Sequence, residues 1–339
     1  MKRLRMIFLA SFVIFAASAS AQNQAPLKLV HTIPLPGLHD GDFDHFTVDL
    51  ASHRLFSAAE ANGEVIVIDT RTNKVLHTIM GLKSPHAMVY RPDLNKLFVV
   101  DGDASEIKIY QGSTYQLTGR IPMRQDADSM TYDPATKFMY VVNGGEDAHE
   151  SYAFVTTINT TNGQKLGEVR INSYKIEALV LEKSGPYLYC NITGENSVGE
   201  INRVKHTLVA TWPVNSKGRY NSPMAYDGPG HRLLVVTREP GKLIVVDSQS
   251  GKIITAMPCV SSADDAVYDA QSRRIYIAGS GGVSVFQQQD PDHYRLIANV
   301  LTRYRANTAI LVPQLNRYYV AAPHFAGQEA EILVFEVTP

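Results

Sequence analysis

The sequence VYRPDLNKLFVV, residues 89–100, decides the fold because it recurs along the whole chain. Close copies read TYDPATKFMYVV from Thr131, AYDGPGHRLLVV from Ala225 and VYDAQSRRIYIA from Val267. Weaker copies read VDLASHRLFSA from Val48, VLEKSGPYLYCN from Val180 and LVPQLNRYYVA from Leu311. Seven copies of one element indicate a repeat architecture, so the length of 339 residues does not by itself count domains.

The spacing of the copies identifies the kind of repeat. Successive intervals between equivalent positions are 42, 49, 45, 42 and 43 residues, counted over Tyr90, Tyr132, Leu181, Tyr226, Tyr268 and Leu311. A period in the low forties is typical of a propeller blade of four short strands. Each unit divides into short runs rich in Val, Ile, Leu, Tyr and Phe, separated by Gly, Asn, Asp and Pro. The sequence therefore predicts an all-β, seven-bladed β-propeller of four-stranded antiparallel blades.

The two ends of the chain predict how the ring closes. The seventh repeat ends after its third strand, near Val337, whereas the N-terminal segment LKLVHTIPL precedes any first strand. That segment matches VLHTIM, the fourth strand of blade 1, at VHTI against LHTI. We therefore expect residues 27–35 to pair beside residues 331–337 and to complete the last blade, which leaves no bare sheet edge there.

The repeats resemble a known family. The stretch LFSAAEANGEVIVIDTRTNKVLHTI, residues 55–79, is similar to the YVTN-type β-propeller repeats that are common in exported prokaryotic proteins. The resemblance covers about residues 27–337. It implies the propeller fold but no single activity, because similar propellers serve as surface proteins, binding scaffolds, lactonases and lyases.

The first 21 residues predict a signal peptide. Lys2, Arg3 and Arg5 form a basic region, residues 6–17 are apolar, and residues 19–21 read Ala-Ser-Ala before Gln22. We expect an exported protein, periplasmic or extracellular, with residues 22–339 forming a single propeller domain. No later segment reaches 18 uncharged apolar residues, so we expect no membrane span.

The net charge of the chain limits the kind of partner to be expected. The formal charge is −1, which gives no reason to expect a nucleic acid as partner. A small molecule, or a protein bound to one propeller face, is the expected partner of a monomer.

Cys190 and Cys259 fall at different places in their repeats, one within a strand and one in a connector, so we expect two free thiols.

One set of residues predicts a binding site. The innermost strands of a propeller run along the central channel, so the residues that begin them converge at its mouth. Aligning the seven repeats places one polar residue per blade there, and we call these residues the mouth ring: His45, His86, Asp128, Glu177, Ser222, Asp264 and Asn307. Asp44, Asp126, Lys175, Asp265 and Arg305 lie beside them in the sequence.

The composition of the mouth ring favours a cation. Converging carboxylates repel one another, which raises their pKa values unless a cation compensates. Imidazole and carboxylate together suit zinc, manganese, iron or copper better than calcium. The candidate metal ligands are His45, His86, Asp128, Glu177 and Asp264; the candidate ligand-binding residues are Asp44, Ser222, Arg305 and Asn307. One divalent transition metal is the cofactor that these residues predict, although Arg305 or Lys175 would neutralise the ring without a metal, and polar side chains at a wet channel mouth can also be simply solvated.

Two functions remain. The chain has no G-x-S-x-G, P-loop, G-x-G-x-x-G, H-E-x-x-H or C-x-x-C motif, which favours a non-enzymatic binding or interaction protein outside the cytoplasm. The alternative is a metal-assisted enzyme of lactonase or lyase type, in which a bound cation polarises a carbonyl and His45 or His86 moves a proton.

Overall fold

The protein is a seven-bladed β-propeller. The computed structural model describes residues 25–338, which form seven separate four-stranded antiparallel sheets. The innermost strand of each sheet contacts the innermost strands of its two neighbours, so the sheets form a closed ring around a channel. The predicted fold class is confirmed. The predicted signal peptide lies outside the described residues, and no helix within residues 25–338 is long and apolar enough to cross a membrane.

Blades 1–4 follow one another along the chain, each from its innermost to its outermost strand. Their strands are β2 (Phe46–Asp49), β3 (Arg54–Ala59), β4 (Glu64–Asp69), β5 (Lys74–Ile79); β6 (Pro85–Arg91), β7 (Lys96–Asp101), β8 (Glu106–Gln111), β9 (Leu117–Pro122); β10 (Met130–Asp133), β11 (Phe138–Asn143), β12 (Ala153–Asn159), β13 (Gln164–Ile171); and β14 (Glu177–Leu181), β15 (Tyr187–Ile192), β16 (Ser197–Asn202), β17 (Thr207–Pro213).

Blades 5–7 continue the pattern, except that the first strand of the chain supplies the outermost strand of blade 7. Their strands are β18 (Arg219–Asp227), β19 (Arg232–Glu239), β20 (Gly241–Asp247), β21 (Ile253–Pro258); β22 (Asp265–Asp269), β23 (Arg274–Gly279), β24 (Gly282–Asp290), β25 (His293–Leu301); and β26 (Thr308–Val312), β27 (Arg317–Ala322), β28 (Ala330–Val337), β1 (Leu27–Leu35). Three 3-10 turns complete the described elements: Glu60–Asn62, Thr193–Glu195 and Pro313–Leu315.

The ring closes as the chain ends predict. β1 pairs antiparallel with β28, with Leu27 opposite Val337 and Leu35 opposite Ala330. Ile33, opposite Ile332, is 1% exposed and packs into the apolar core that blade 7 shares with blade 1. Closure therefore rests on buried apolar contact as well as on backbone hydrogen bonds.

The blades also interlock through buried polar groups. Arg54 of blade 1 pairs with Asp49 at 2.7 Å and donates to the Tyr90 hydroxyl of blade 2 at 2.9 Å. Elsewhere, aspartates at the ends of strands stabilise turns: Asp69 accepts from the backbone N–H groups of Arg71 and Thr72. These groups explain the recurrent Asp and Tyr of the repeat as structural residues.

The two cysteines are free, as predicted. Cys190 lies in β15, and Cys259 follows β21. Burial raises the pKa of each thiol to about 12. Neither thiol therefore has the lowered pKa of a reactive cysteine.

Candidate functional site

A cavity of about 660 Å³ occupies the mouth of the channel. Every member of the mouth ring lines this cavity, so the residues that the repeat alignment predicts to converge lie together. Including charged members of the mouth ring, the wall carries nine carboxylates, two imidazoles and two permanent cations: Asp42, Asp44, Glu60, Asp126, Asp128, Asp147, Glu177, Asp264, Asp265, His45, His86, Lys175 and Arg238. The cavity is strongly acidic although the whole chain is nearly neutral.

A backbone feature helps to aim the mouth ring. In four blades the residue two positions before the ring residue has a left-handed conformation: Asp126 (φ 60°), Tyr220 (φ 56°), Ser262 (φ 48°) and Arg305 (φ 62°). Non-glycine residues adopt this conformation at a cost of about 1–2 kcal/mol, so it persists only where the surroundings require it. The chain therefore turns sharply just before each of these blades enters the channel.

Neighbouring residues also reach the cavity, which strict strand alternation would not allow. Asp44 and His45 both line it, as do Asp264 and Asp265. The regular pleat begins only at Phe46 in β2 and at Asp265 in β22, so the residues just before each strand are free of the two-residue period.

Arg305, expected as a ligand-binding residue, takes a different place. It is not among the described residues that line the cavity, and its guanidinium pairs with Asp42 at the edge, with Nε 2.8 Å from Oδ1. Its charge is thereby directed to the rim. The permanent cations inside are Lys175 and Arg238.

Sequence reasoning missed Glu60 and Arg238. Both occupy one repeat position, which follows the second strand in six blades and lies near its end in blade 5: Glu60, Gly102, Gly144, Thr193, Arg238, Ser280 and Pro323. Glu60 and Arg238 are the only charged residues in that series. The repeat thus contained the signal, because the turn after the second strand faces the same end of the channel as the mouth ring.

The two imidazoles are joined by Asp44. Its Oδ2 lies 2.6 Å from His86 Nδ1, and its Oδ1 lies 3.3 Å from His45 Nε2. The other nitrogen of His45, Nδ1, lies 3.1 Å from Asp265 Oδ1. His86 Nδ1 is also 3.7 Å from Asp128 Oδ1. Each imidazole therefore contacts two carboxylates.

These contacts set the protonation of the site. Burial opposes the charge on His86, but Asp128 and the hydrogen bond to Asp44 outweigh it and raise the pKa of His86 to about 10. Burial likewise opposes the charge on His45, but Asp44 and Asp265 raise its pKa well above 6.5. Burial would raise the pKa of Asp44, yet the two imidazoles hold it below its ordinary value. These carboxylates therefore keep both imidazoles cationic at neutral pH.

The remaining carboxylates respond mainly to burial. Burial raises the pKa of Glu60 to about 6 and that of Asp264 to about 7, the latter despite an ion pair with Arg238. Burial and mutual repulsion raise the pKa values of Asp128 and Glu177. The ionised forms of these carboxyl groups are thus disfavoured at the cavity wall, and a cation bound among them would compensate their charge.

Three side chains come close enough together to hold one metal ion. Asp44, Glu60 and His86 each offer a ligand atom, and these atoms lie within 4.8 Å of one another. Ser84 fixes two of them, because its Oγ lies 3.1 Å from Glu60 Oε1 and 3.2 Å from His86 Nε2. Gly102 leaves room for the imidazole, since a Cβ there would come within 2.9 Å of His86 Nε2. Of the predicted metal ligands, only His86 belongs to this cluster.

Comparisons with known proteins agree on the fold. No family model matches the chain. Uncharacterized protein YncE of Salmonella typhi is 27% identical over 99 residues, which are 29% of this chain and 28% of that protein. The chain thus matches little more than a quarter of the length of that relative.

Solved structures match over nearly the whole chain at low identity. A chain of Kuenenia stuttgartiensis hydrazine synthase is 17% identical with a TM-score of 0.72, covering 90% of this chain and 99% of that one. A chain of the mitotic checkpoint complex is 11% identical with a TM-score of 0.74, covering 99% of both. The RRP9 WD40 repeats are 10% identical with a TM-score of 0.76, covering 93% of this chain and 99% of that one. At these identities the likeness concerns the fold alone.

Proposed function

We propose that this chain is an exported YVTN-type β-propeller that binds a divalent transition-metal cation at the channel mouth and has no catalytic activity of its own. The observation that carries the proposal is the cluster of Asp44, Glu60 and His86, whose ligand atoms lie within 4.8 Å of one another. Two carboxylates and an imidazole form a donor set suited to zinc or manganese. The resemblance of the repeats to YVTN-type propellers supports the family, and the signal-peptide pattern of residues 1–21 supports the location.

The electrostatics of the cavity support a cation. Asp44 lies between two imidazoles that are protonated at neutral pH, so protons already compensate part of the carboxylate charge. A metal would replace the proton on His86 and compensate Glu60, whose pKa burial raises to about 6. Metal binding should therefore release protons and strengthen as pH rises.

Calorimetry with the purified chain of residues 22–339 tests the proposal. We expect one equivalent of Zn²⁺ or Mn²⁺ to bind. Glu60→Gln removes a ligand, so its cost should be at least that of losing an outer-shell partner, about 10–100-fold in affinity. Asp147→Asn makes the same charge change elsewhere on the cavity wall and should alter affinity less than about threefold. A wild type that binds neither metal, or equal losses in the two variants, would overturn the proposal.

A metal-assisted lactonase or lyase is the second candidate, and His45 favours it. Its imidazole faces the cavity and is oriented by Asp44 and Asp265, as a proton-transferring histidine would be. We rank it second because both ring nitrogens already contact carboxylates. Turnover of an aliphatic lactone by the metal-loaded wild type, lost in His45→Ala, would establish it. No turnover across a panel of lactones would leave the binding role as the better account.

Export is tested separately. N-terminal sequencing of the protein recovered from outside the cytoplasm should begin at Gln22, after the Ala19-Ser20-Ala21 site. Recovery only of chains that begin at Met1, inside the cytoplasm, would contradict it.

A further inference from the structure

The metal cluster and the two permanent cations of the cavity come from different blades. The Asp44, Glu60 and His86 cluster comes from blades 1 and 2. Lys175 lies just before β14 of blade 4, and Arg238 lies in β19 of blade 5. In a ring of seven, blades 4 and 5 are the blades farthest from blade 1. Blade 5 therefore lies across the channel from the metal cluster, and blade 4 is separated from blade 2 by blade 3, so neither permanent cation comes from a blade next to the cluster.

These cations are held in place but remain accessible. Lys175 Nζ lies 3.4 Å from Glu177 Oε1, and the Lys175 side chain is 29% exposed. Arg238 pairs with Asp264, donates from Nε to the Ala263 carbonyl at 3.1 Å, and has a side chain 38% exposed. Both line the cavity. Each is positioned by a protein partner while part of its surface faces the open space.

The cavity is much larger than a metal ion requires. Its volume of about 660 Å³ compares with about 30 Å³ for one water molecule, and it falls within the range of roughly 300–1,000 Å³ typical of small-molecule sites. Ser222 of blade 5 and Asn307 of blade 7 add neutral hydrogen-bonding groups to the wall. The space and the donors suit an organic ligand.

We infer that the channel takes the metal as its complex with a small organic polycarboxylate, with the metal at Asp44, Glu60 and His86 and a free carboxylate at Lys175 and Arg238. This inference rests on the proposed metal-binding function. A guanidinium is well shaped for a carboxylate, which it can bind through two parallel hydrogen bonds.

The charge balance also explains selectivity between the complex and its parts. Nine carboxylates outnumber the two permanent cations and the two imidazoles on the wall, so the wall repels a free polycarboxylate. Chelation of the metal neutralises most of that ligand's charge, so the complex can enter. The free metal ion would fill the cluster but would leave the exposed parts of Lys175 and Arg238 without a ligand carboxylate.

Native mass spectrometry and calorimetry on residues 22–339, with ZnCl₂, citrate and zinc citrate as probes, test the inference. We expect no binding of citrate alone, binding of Zn²⁺ alone, and a mass that contains both zinc and citrate with the mixture. In Lys175→Met/Arg238→Gln we expect the citrate to be lost and zinc affinity to stay within about threefold of wild type. Arg305→Gln, which removes a cation from the rim, should keep the ternary complex.

The outcomes separate the two proposals. Zinc without citrate in the wild-type complex, or citrate retained in the double variant, would overturn the polycarboxylate inference and leave metal binding intact. No zinc with either probe would overturn the proposed function itself. If the double variant does not fold, Lys175→Met and Arg238→Lys serve singly; each should weaken citrate retention at least about threefold, and unchanged retention in both would refute the inference.

Discussion

Substitution of Ile33 by Ala should destabilise the whole ring, because β1 closes the last blade. Ile33 is 1% exposed and packs among buried apolar side chains of blades 7 and 1. The change removes three buried carbon atoms, worth about 2.4 kcal/mol at roughly 0.8 kcal/mol each. The cavity left behind raises the expected loss in the free energy of unfolding to about 3–4 kcal/mol.

Urea denaturation followed by tryptophan fluorescence measures this loss in a blade other than the substituted one. The single tryptophan, Trp212, lies in β17 of blade 4, so a lower midpoint there reports that opening blade 7 weakens the entire ring. Thr32→Ala is the matched control, because Thr32 is the exposed neighbour of Ile33 on the same strand, and should change stability by less than about 0.5 kcal/mol. Equal midpoints for the two variants would refute a closing role for β1.

Three further predictions concern other parts of the molecule. Arg54→Met leaves the buried Asp49 carboxylate without its ion-pair partner and should lower the free energy of unfolding by about 3–5 kcal/mol. Part of that loss should be regained in Asp49→Asn/Arg54→Met, and the urea midpoints of both variants measure it. The pKa of His86 is raised to about 10 in the folded protein, so the stabilisation from its charge is fully present below pH 6.5 and is lost as pH rises toward 10. The urea midpoint should therefore fall over pH 7–10 in the wild type and fall less in His86→Gln. Burial of Cys190 and partial burial of Cys259 predict slow reaction of the native thiols with a thiol reagent and two reactive thiols after denaturation without reductant, whereas none would indicate a disulfide.

The fold was predictable because its signal is repeated. The element at residues 89–100 occurs in seven copies, so an ambiguous assignment in one blade is resolved by the clearer copies in the others. Closure by residues 27–35 followed from a four-residue match to the fourth strand of blade 1, and the pairing of β1 with β28 confirms it. A strand without a repeat to compare with would have offered much weaker evidence.

The site was predictable only in part, for a physical reason. The mouth ring begins the innermost strands, whose position in the repeat fixes where they point, and all seven residues line the cavity. Glu60 and Arg238 lie at or beside the turn after the second strand, which reaches the same cavity from another part of each blade. Which side chains meet one another depends on the rotation between blades: Glu60 approaches His86 through Ser84 of the next blade, and no spacing along the chain encodes that contact.

The placement of Arg305 illustrates the same limit. Its position two residues before Asn307 indicated the channel mouth, but its backbone is left-handed, with φ 62°, and its guanidinium pairs with Asp42 at the edge of the cavity. Asp126 and Ser262 share this backbone conformation and line the cavity, so it is the ion pair with Asp42 that keeps the charge of Arg305 at the rim.

Anomalous diffraction from crystals of the zinc-loaded protein, residues 22–339, would locate the bound metal. We expect one strong zinc peak at the channel mouth, about 2.0–2.2 Å from ligand atoms of Glu60 and His86, with Asp44 in the same coordination group. A cavity without a peak at saturating zinc, or a peak held only by residues outside the Asp44, Glu60 and His86 cluster, would contradict it.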